Sequence, residues 1–208
     1  NSDEPPSPSP ETEAPEEVQK VTFTDLDSVP WARDAIEFLA THRGILGLGD
    51  GLFGPNEPLT RAQFARFTAA ALEITRSATA TESTFSDVKP GDWFFEDVTA
   101  LAELNILTGY PDGTFKPDET VTREQMAVIL LRTLNSQGFP LTPVRPFTLV
   151  DDIADASDYA QNAIRSLYRA GLIEGVGGAN YAPKSGSTRA QACVLLYRAI
   201  LIVTNQPL

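Results

Sequence analysis

The apolar positions of this chain fall into short stripes of helical period, and those stripes recur in a fixed order three times. Ile36, Leu39 and Ala40 sit at i, i+3, i+4, as do Val98, Leu101 and Ala102, and Ile164, Leu167 and Tyr168. That spacing gathers apolar side chains on one face of an α-helix. Each stripe is expected to start near an aromatic residue. Pro30 suits a first helical position ahead of Trp31, Asp92 can cap before Trp93, and Ser157 or Asp158 before Tyr159. The stripes stop at Gly44, Asn105 and Gly171, residues that tolerate a left-handed C-terminal cap. A second apolar run then follows each of Thr60-Arg61-Ala62-Gln63, Thr122-Arg123-Glu124-Gln125 and Thr188-Arg189-Ala190-Gln191. In a Thr-x-x-Gln capping box the hydroxyl takes the N3 amide and the glutamine returns to the N-cap amide.

Between the two helices of each pair lies a glycine-rich turn: Gly47, Gly49 and Gly51, then Gly109 and Gly113, then Gly175, Gly177 and Gly178, all expected at positive φ. An opening motif precedes each pair: Phe23-Thr24-Asp25-Leu26, Phe85-Ser86-Asp87-Val88 and Val150-Asp151-Asp152-Ile153, with Asp152 preferred to Asp151 as the equivalent acid. The ordered set predicts three repeats over 21–76, 83–138 and 147–204. The Asp-Gly turns lack the alternating ligands and closing glutamate of a calcium loop, so plain turns are expected.

Residues 1–20 differ from the rest. Pro, Glu, Ser and Thr dominate them, and they carry six acids against one lysine, leaving about −7 of the −12 net charge on the remainder. Such a segment is expected to be a disordered linker. An acidic balance disfavours nucleic acid and anionic membrane as partners. Nothing approaches a membrane span in length. Cys193 is alone, so no intramolecular disulfide and no cysteine-based zinc site can form; it is expected as a buried small residue. His42, also alone, is expected as an ordinary helix-end residue. With no Ser/His/Asp set, metal cluster or phosphate loop, neither enzymatic activity nor a cofactor is expected.

Arg61, Arg123 and Arg189 break a rule three times, since each puts positive charge at the positive end of a helix dipole. Two readings remain open. Each arginine pairs with an acid such as Asp25, Asp87 or Asp152, or each helps form an anion site with free helix-terminal amides. On physics alone, the bulk of the Trp31 and Trp93 rings belongs in the core.

Phe-x-Asp-Val, Trp, the Ala-Ile helix, Gly-x-x-Asp-Gly-x-Phe-x-Pro and Thr-Arg-x-Gln, in that order, resemble the S-layer homology (SLH) repeat over roughly residues 23–204. The resemblance implies an all-α fold of three helix-loop-helix repeats forming a pseudo-threefold trimer around a central helical bundle. It implies a non-enzymatic, extracellular anchor in the cell wall or S-layer of a bacterium. Grooves between the repeats would bind secondary cell-wall polysaccharide, typically through pyruvylated N-acetylmannosamine. The implied ligand-binding residues are Asp25, Arg61, Asp87, Arg123, Asp152, Arg189, Trp31, Trp93, Gly47 and Gly109. An N-terminal cargo missing from this sequence is expected. Gln63, Gln125 and Gln191 replace the family's common glutamate, and copy three carries Tyr159 for Trp and lacks the Asp-Gly turn. The alternative is a protein-interaction or self-assembly scaffold within a surface layer, without direct glycan binding.

Overall fold

The computed structural model describes residues 19–75, 82–149 and 151–206. Residues 1–18 of the expected linker, residue 76 at the end of the first expected repeat, and Val150 of the third opening motif lie outside the described residues. Among the described residues six α-helices follow one another: α1 Arg33–Arg43, α2 Arg61–Ala71, α3 Phe95–Glu103, α4 Arg123–Ser136, α5 Asp158–Arg169 and α6 Arg189–Val203. Among the described residues no strand forms, and no helix is long and apolar enough to cross a membrane.

The second helix of each pair starts where its capping box predicts. Thr60, Thr122 and Thr188 each accept from the N3 amide, and Gln63, Gln125 and Gln191 each accept from the N-cap amide. The first helices start differently. Pro30 opens a 3-10 turn, Pro30–Ala32, and α1 begins only at Arg33. Asp92 accepts from the Lys89 amide instead of capping, and α3 starts at Phe95. Ser157 does hold the N-cap of α5, but its hydroxyl donates to Glu124. The expected stops hold: Gly44, Asn105 and Gly171 all have positive φ.

Packing is closer between repeats than within them. The first helix of each repeat lies against the second helix of the preceding one: α3 on α2, α5 on α4 and α1 on α6. Backbone bonds close the same cycle. Leu59 N–H donates to the Ser187 carbonyl, Ser187 N–H to Val121, and Val121 N–H to Leu59, at 2.9, 3.0 and 2.9 Å. The first two amides of each second helix also cross to the next repeat. Arg61 and Ala62 donate to Glu119 and Pro117, Arg123 and Glu124 to Ser185 and Pro183, and Arg189 and Ala190 to Glu57 and Pro55. One continuous apolar core unites the three repeats, with Phe53, Phe115 and Tyr181 buried at matching positions.

Candidate functional site

The three motif aspartates hold the turns of their own repeats. Asp25 accepts from the Phe53 and Gly54 amides at 2.9 and 2.7 Å, and Asp87 from Phe115 and Lys116 at 2.7 and 2.8 Å. Asp152, rather than Asp151, accepts from Tyr181 and Ala182 at 2.8 and 2.6 Å. Both oxygens of each carboxylate are thus engaged with backbone. None of the three makes an ion pair with Arg61, Arg123 or Arg189, so the pairing reading does not describe this structure.

The glycines Gly47, Gly109 and Gly175 do not have the positive φ expected of them. Each is required by close approach instead. A Cβ on Gly109 would stand 2.5 Å from the Thr114 carbonyl oxygen and 2.7 Å from the Phe85 ring. On Gly175 it would stand 2.6 Å from the Asn180 oxygen and 2.7 Å from Leu149, and Gly47 is crowded likewise by Leu52 and Phe23. Leu149 thereby occupies the place that Phe23 and Phe85 take in the other repeats. Positive φ falls further along, at Gly49, Gly51, Gly113, Gly177 and Gly178.

The arginines leave their own helices for the turn of the next repeat. Arg61 Nε donates to the Phe115 carbonyl at 2.8 Å, Arg123 Nε to Tyr181 at 2.8 Å and Arg189 Nε to Phe53 at 3.0 Å. Each guanidinium also lies over the aromatic ring of the residue it bonds, 4.4–4.6 Å from the centroid. The helix-terminal amides beside them are spent. N1 and N2 donate to the next repeat, and N3 donates to the cap threonine. Any anion would therefore meet guanidinium groups, not a free helix end.

Two grooves open where three repeats meet. In the first, of about 390 Å³, Arg61 of repeat 1 faces the Ile106–Pro111 turn, Gln125 and Arg132 of repeat 2, and Tyr159 of repeat 3. Burial pushes the Arg61 guanidinium down from its ordinary pKa. Its only hydrogen bond among the described residues is the one to Phe115. Arg132 donates to the Ile106 carbonyl and the Thr108 hydroxyl. Tyr110 is held between the Arg61 and Lys116 cations, and its hydroxyl joins Gln125 and Glu119. Among the described residues no carboxylate lines this groove.

The second groove, of about 410 Å³, permutes the repeats. Arg123 of repeat 2 faces the Leu172–Val176 turn and Arg198 of repeat 3, and Trp31 of repeat 1 forms a wall. Both volumes fall in the range of roughly 300–1,000 Å³ common for small-ligand sites. Trp31 and Trp93 are 57% and 56% exposed, and Tyr159 is 56% exposed. The rings stay out of the core because Leu26, Val29 and Ala32 fill it on one side and Phe94 and Phe95 on the other. Gly109 lines the first groove; Gly47 lies in repeat 1's turn, against which Arg189 packs.

That third junction differs. Arg189 donates to the Leu46 carbonyl as Arg123 does to Glu174, but Ala70 stands where repeats 2 and 3 have Arg132 and Arg198, and Leu46 and Leu48 are exposed. Arg132 and Arg198 were overlooked in the sequence, although each interrupts an apolar helix nine positions after its N1 arginine. Cys193 is fully buried with its thiol pushed up to about 12, and His42 packs on Phe38.

The family model described as "S-layer homology domain" matches residues 22–65, 84–127 and 151–193, well over half of the chain. The chain belongs to the S-layer homology domain family. Among its relatives, "Exoglucanase XynX" of Acetivibrio thermocellus is 33% identical over 180 residues, covering 86% of this chain and 16% of the relative. "Cellulosome-anchoring protein" of the same species is 31% identical over 117 residues, covering 55% of this chain and 26% of the relative. "Surface layer protein" of Brevibacillus choshinensis is 33% identical over 92 residues, covering 43% of this chain and 8% of the relative. The chain thus spans about a quarter or less of each, and the similarity to an exoglucanase concerns a small part of that enzyme. The three matched S-layer homology segments contain every arginine and aspartate of the motifs described above.

Proposed function

We propose that this chain is a non-catalytic cell-surface anchor that binds an anionic polysaccharide of the bacterial wall in the grooves between its repeats. The first groove carries the proposal. Arg61 and Arg132 converge there on an open cavity that no carboxylate among the described residues lines, within a chain whose net charge is −12. A desolvated guanidinium with unspent donors gains most from a carboxylate, which it can take in a two-bond fork. A pyruvyl ketal on a secondary wall polysaccharide, as on pyruvylated N-acetylmannosamine, supplies such a group. Tyr159, exposed at the groove wall, would pack against a sugar face. Relatives named as anchoring and surface-layer proteins support the placement at the cell surface. The cargo would lie beyond the Pro/Glu-rich N-terminal segment.

The test is binding of purified wall polysaccharide, with and without its ketal carboxylates, by calorimetry on wild type, Arg61→Ala and Arg61→Lys. Ala should weaken binding by about 1.5–3 kcal/mol, with Lys recovering part of it. Removing a cation from a helix N-terminus would by itself stabilise the free protein slightly. The lost bond to Phe115 opposes that, so binding must be read well below the melting temperature. Wild-type affinity in Arg61→Ala would end the proposal. A scaffold role is favoured at one place, the repeat 1 turn with its exposed Leu46, Leu48 and Leu52. Self-association that disappears in Leu48→Ser would bring that reading forward.

A further inference from the structure

We infer that the two grooves take different sugar units, and that Glu174 makes the second groove select an uncharged pyranose over a carboxylated one. This rests on the glycan-binding reading above and deepens it. Thr108, Glu174 and Leu46 hold one position, each just before the cradled glycine of its turn. In the first groove that position presents a hydroxyl, which already accepts from Arg132. In the second it presents a carboxylate.

Glu174 is fixed at the groove wall. Arg145, from the segment between repeats 2 and 3, lies 3.0 Å from its Oε1 and donates to its Oε2 at 3.1 Å. Arg145 is itself committed behind the wall, donating to the Tyr168 and Ile173 carbonyls and stacking on the Tyr168 ring. The Glu174 side chain nevertheless remains half exposed and lines the cavity.

The N1 arginine of the second groove is also more heavily used than that of the first, with two hydrogen bonds against one. Arg123 spends Nε on the Tyr181 carbonyl and Nη2 on the Glu174 carbonyl, so its side-on edge is occupied. Arg198 donates to the Leu172 carbonyl and stands 3.9 Å from Glu174 Oε1. A carboxylated ligand there would face a like charge across a short gap, which disfavours it. A neutral sugar meets complementary groups instead: a carboxylate to accept from its hydroxyls, arginine N–H groups to donate, and the exposed Trp31 face for its ring.

The experiment uses two probes, the methyl glycoside of N-acetylmannosamine and the same glycoside carrying a 4,6-pyruvyl ketal. Binding is followed by calorimetry and by the Trp31 indole N–H resonance, which reports the second groove. In the Arg61→Ala protein, where the first groove is disabled, the ketal-free sugar should still shift the Trp31 signal. The carboxylated sugar should bind there roughly tenfold more weakly, the size expected of one unit charge near a partly exposed site. Adding Glu174→Gln, which keeps the side-chain shape, should remove that preference. A loosened fold would weaken both probes alike and cannot invert their order. Equal affinity for the two sugars at Trp31, or an unchanged preference in Glu174→Gln, overturns the inference while leaving the anchor reading standing. If the wild-type protein binds neither probe nor purified wall polysaccharide, both fall together.

Discussion

At the scale of single residues, the motif aspartates and arginines divide their labour, and mutation should separate them. Asp87 holds two amides of the repeat 2 turn, so Asp87→Asn exchanges charge-assisted bonds for weaker ones and leaves the NH2 group facing N–H donors. A loss of about 1.5–3 kcal/mol in unfolding free energy is expected from denaturant melts, with glycan affinity unchanged while the protein stays folded. Arg61→Ala should do the opposite, costing more affinity than stability. Ser187 offers a gain. Its hydroxyl is buried with no hydrogen-bond partner among the described residues, at a place where the other repeats have Leu59 and Val121. Ser187→Ala should therefore stabilise the protein by about 1 kcal/mol, read as a higher melting temperature; a lower one would show that the hydroxyl has a partner in solution. The sequence announced which positions matter in the motifs without saying why. A repeated Asp looks the same whether it meets a sugar hydroxyl or a backbone amide. Repetition also cannot tell exposed tryptophans from core ones, because both uses demand a large ring.

At the scale of elements, the capping boxes were legible because their chemistry is local, four residues from end to end. The starts of α1 and α3 were not, because 3-10 and turn backbone precedes them and no side chain caps either. The place of Tyr159 in the first groove was hidden for a different reason: the residues it meets there come from repeats 1 and 2. The α2–α3 contact carries one element-scale prediction. Asp97 of α3 faces Arg66 of α2 at 3.5 Å, and burial raises the Asp97 pKa above its ordinary value, although Arg66 opposes the rise. A raised carboxylate pKa means the folded state holds its proton more tightly than the unfolded chain. The charged form therefore costs stability fully above the folded-state pKa, and the cost vanishes below the unfolded value of 3.8. Asp97→Asn should melt at a higher temperature than wild type at neutral pH, with the gap narrowing as the pH falls towards 4. A gap that is absent at neutral pH, or that widens in acid, would show that the Arg66 ion pair outweighs burial.

At the scale of the whole molecule, the repeat of the sequence is not the packing unit of the structure. Repeat 2 supplies α3 to cover α2 of repeat 1, and its own α4 is covered by α5 of repeat 3. The Val121 amide depends on the Leu59 carbonyl, and the Arg123 and Glu124 amides depend on Ser185 and Pro183. Even the Arg123 guanidinium is satisfied by carbonyls at Tyr181 and Glu174. Cut out alone, residues 83–138 would expose both interfaces and leave these donors to water. A chain of about 60 residues is already marginal with an intact core, and this one would surrender much of it. The isolated fragment should show weak helical circular dichroism and no cooperative thermal transition, whereas the full chain should melt in one step. Adding equimolar fragments spanning the other two repeats should restore helicity, because the missing surfaces are then supplied in trans. A cooperative melt of the lone fragment, at a temperature close to that of the full chain, would mean that each repeat is self-sufficient. The grooves would then lie between separable beads, and their geometry would depend on linkers instead of on the closed ring of Leu59, Val121 and Ser187.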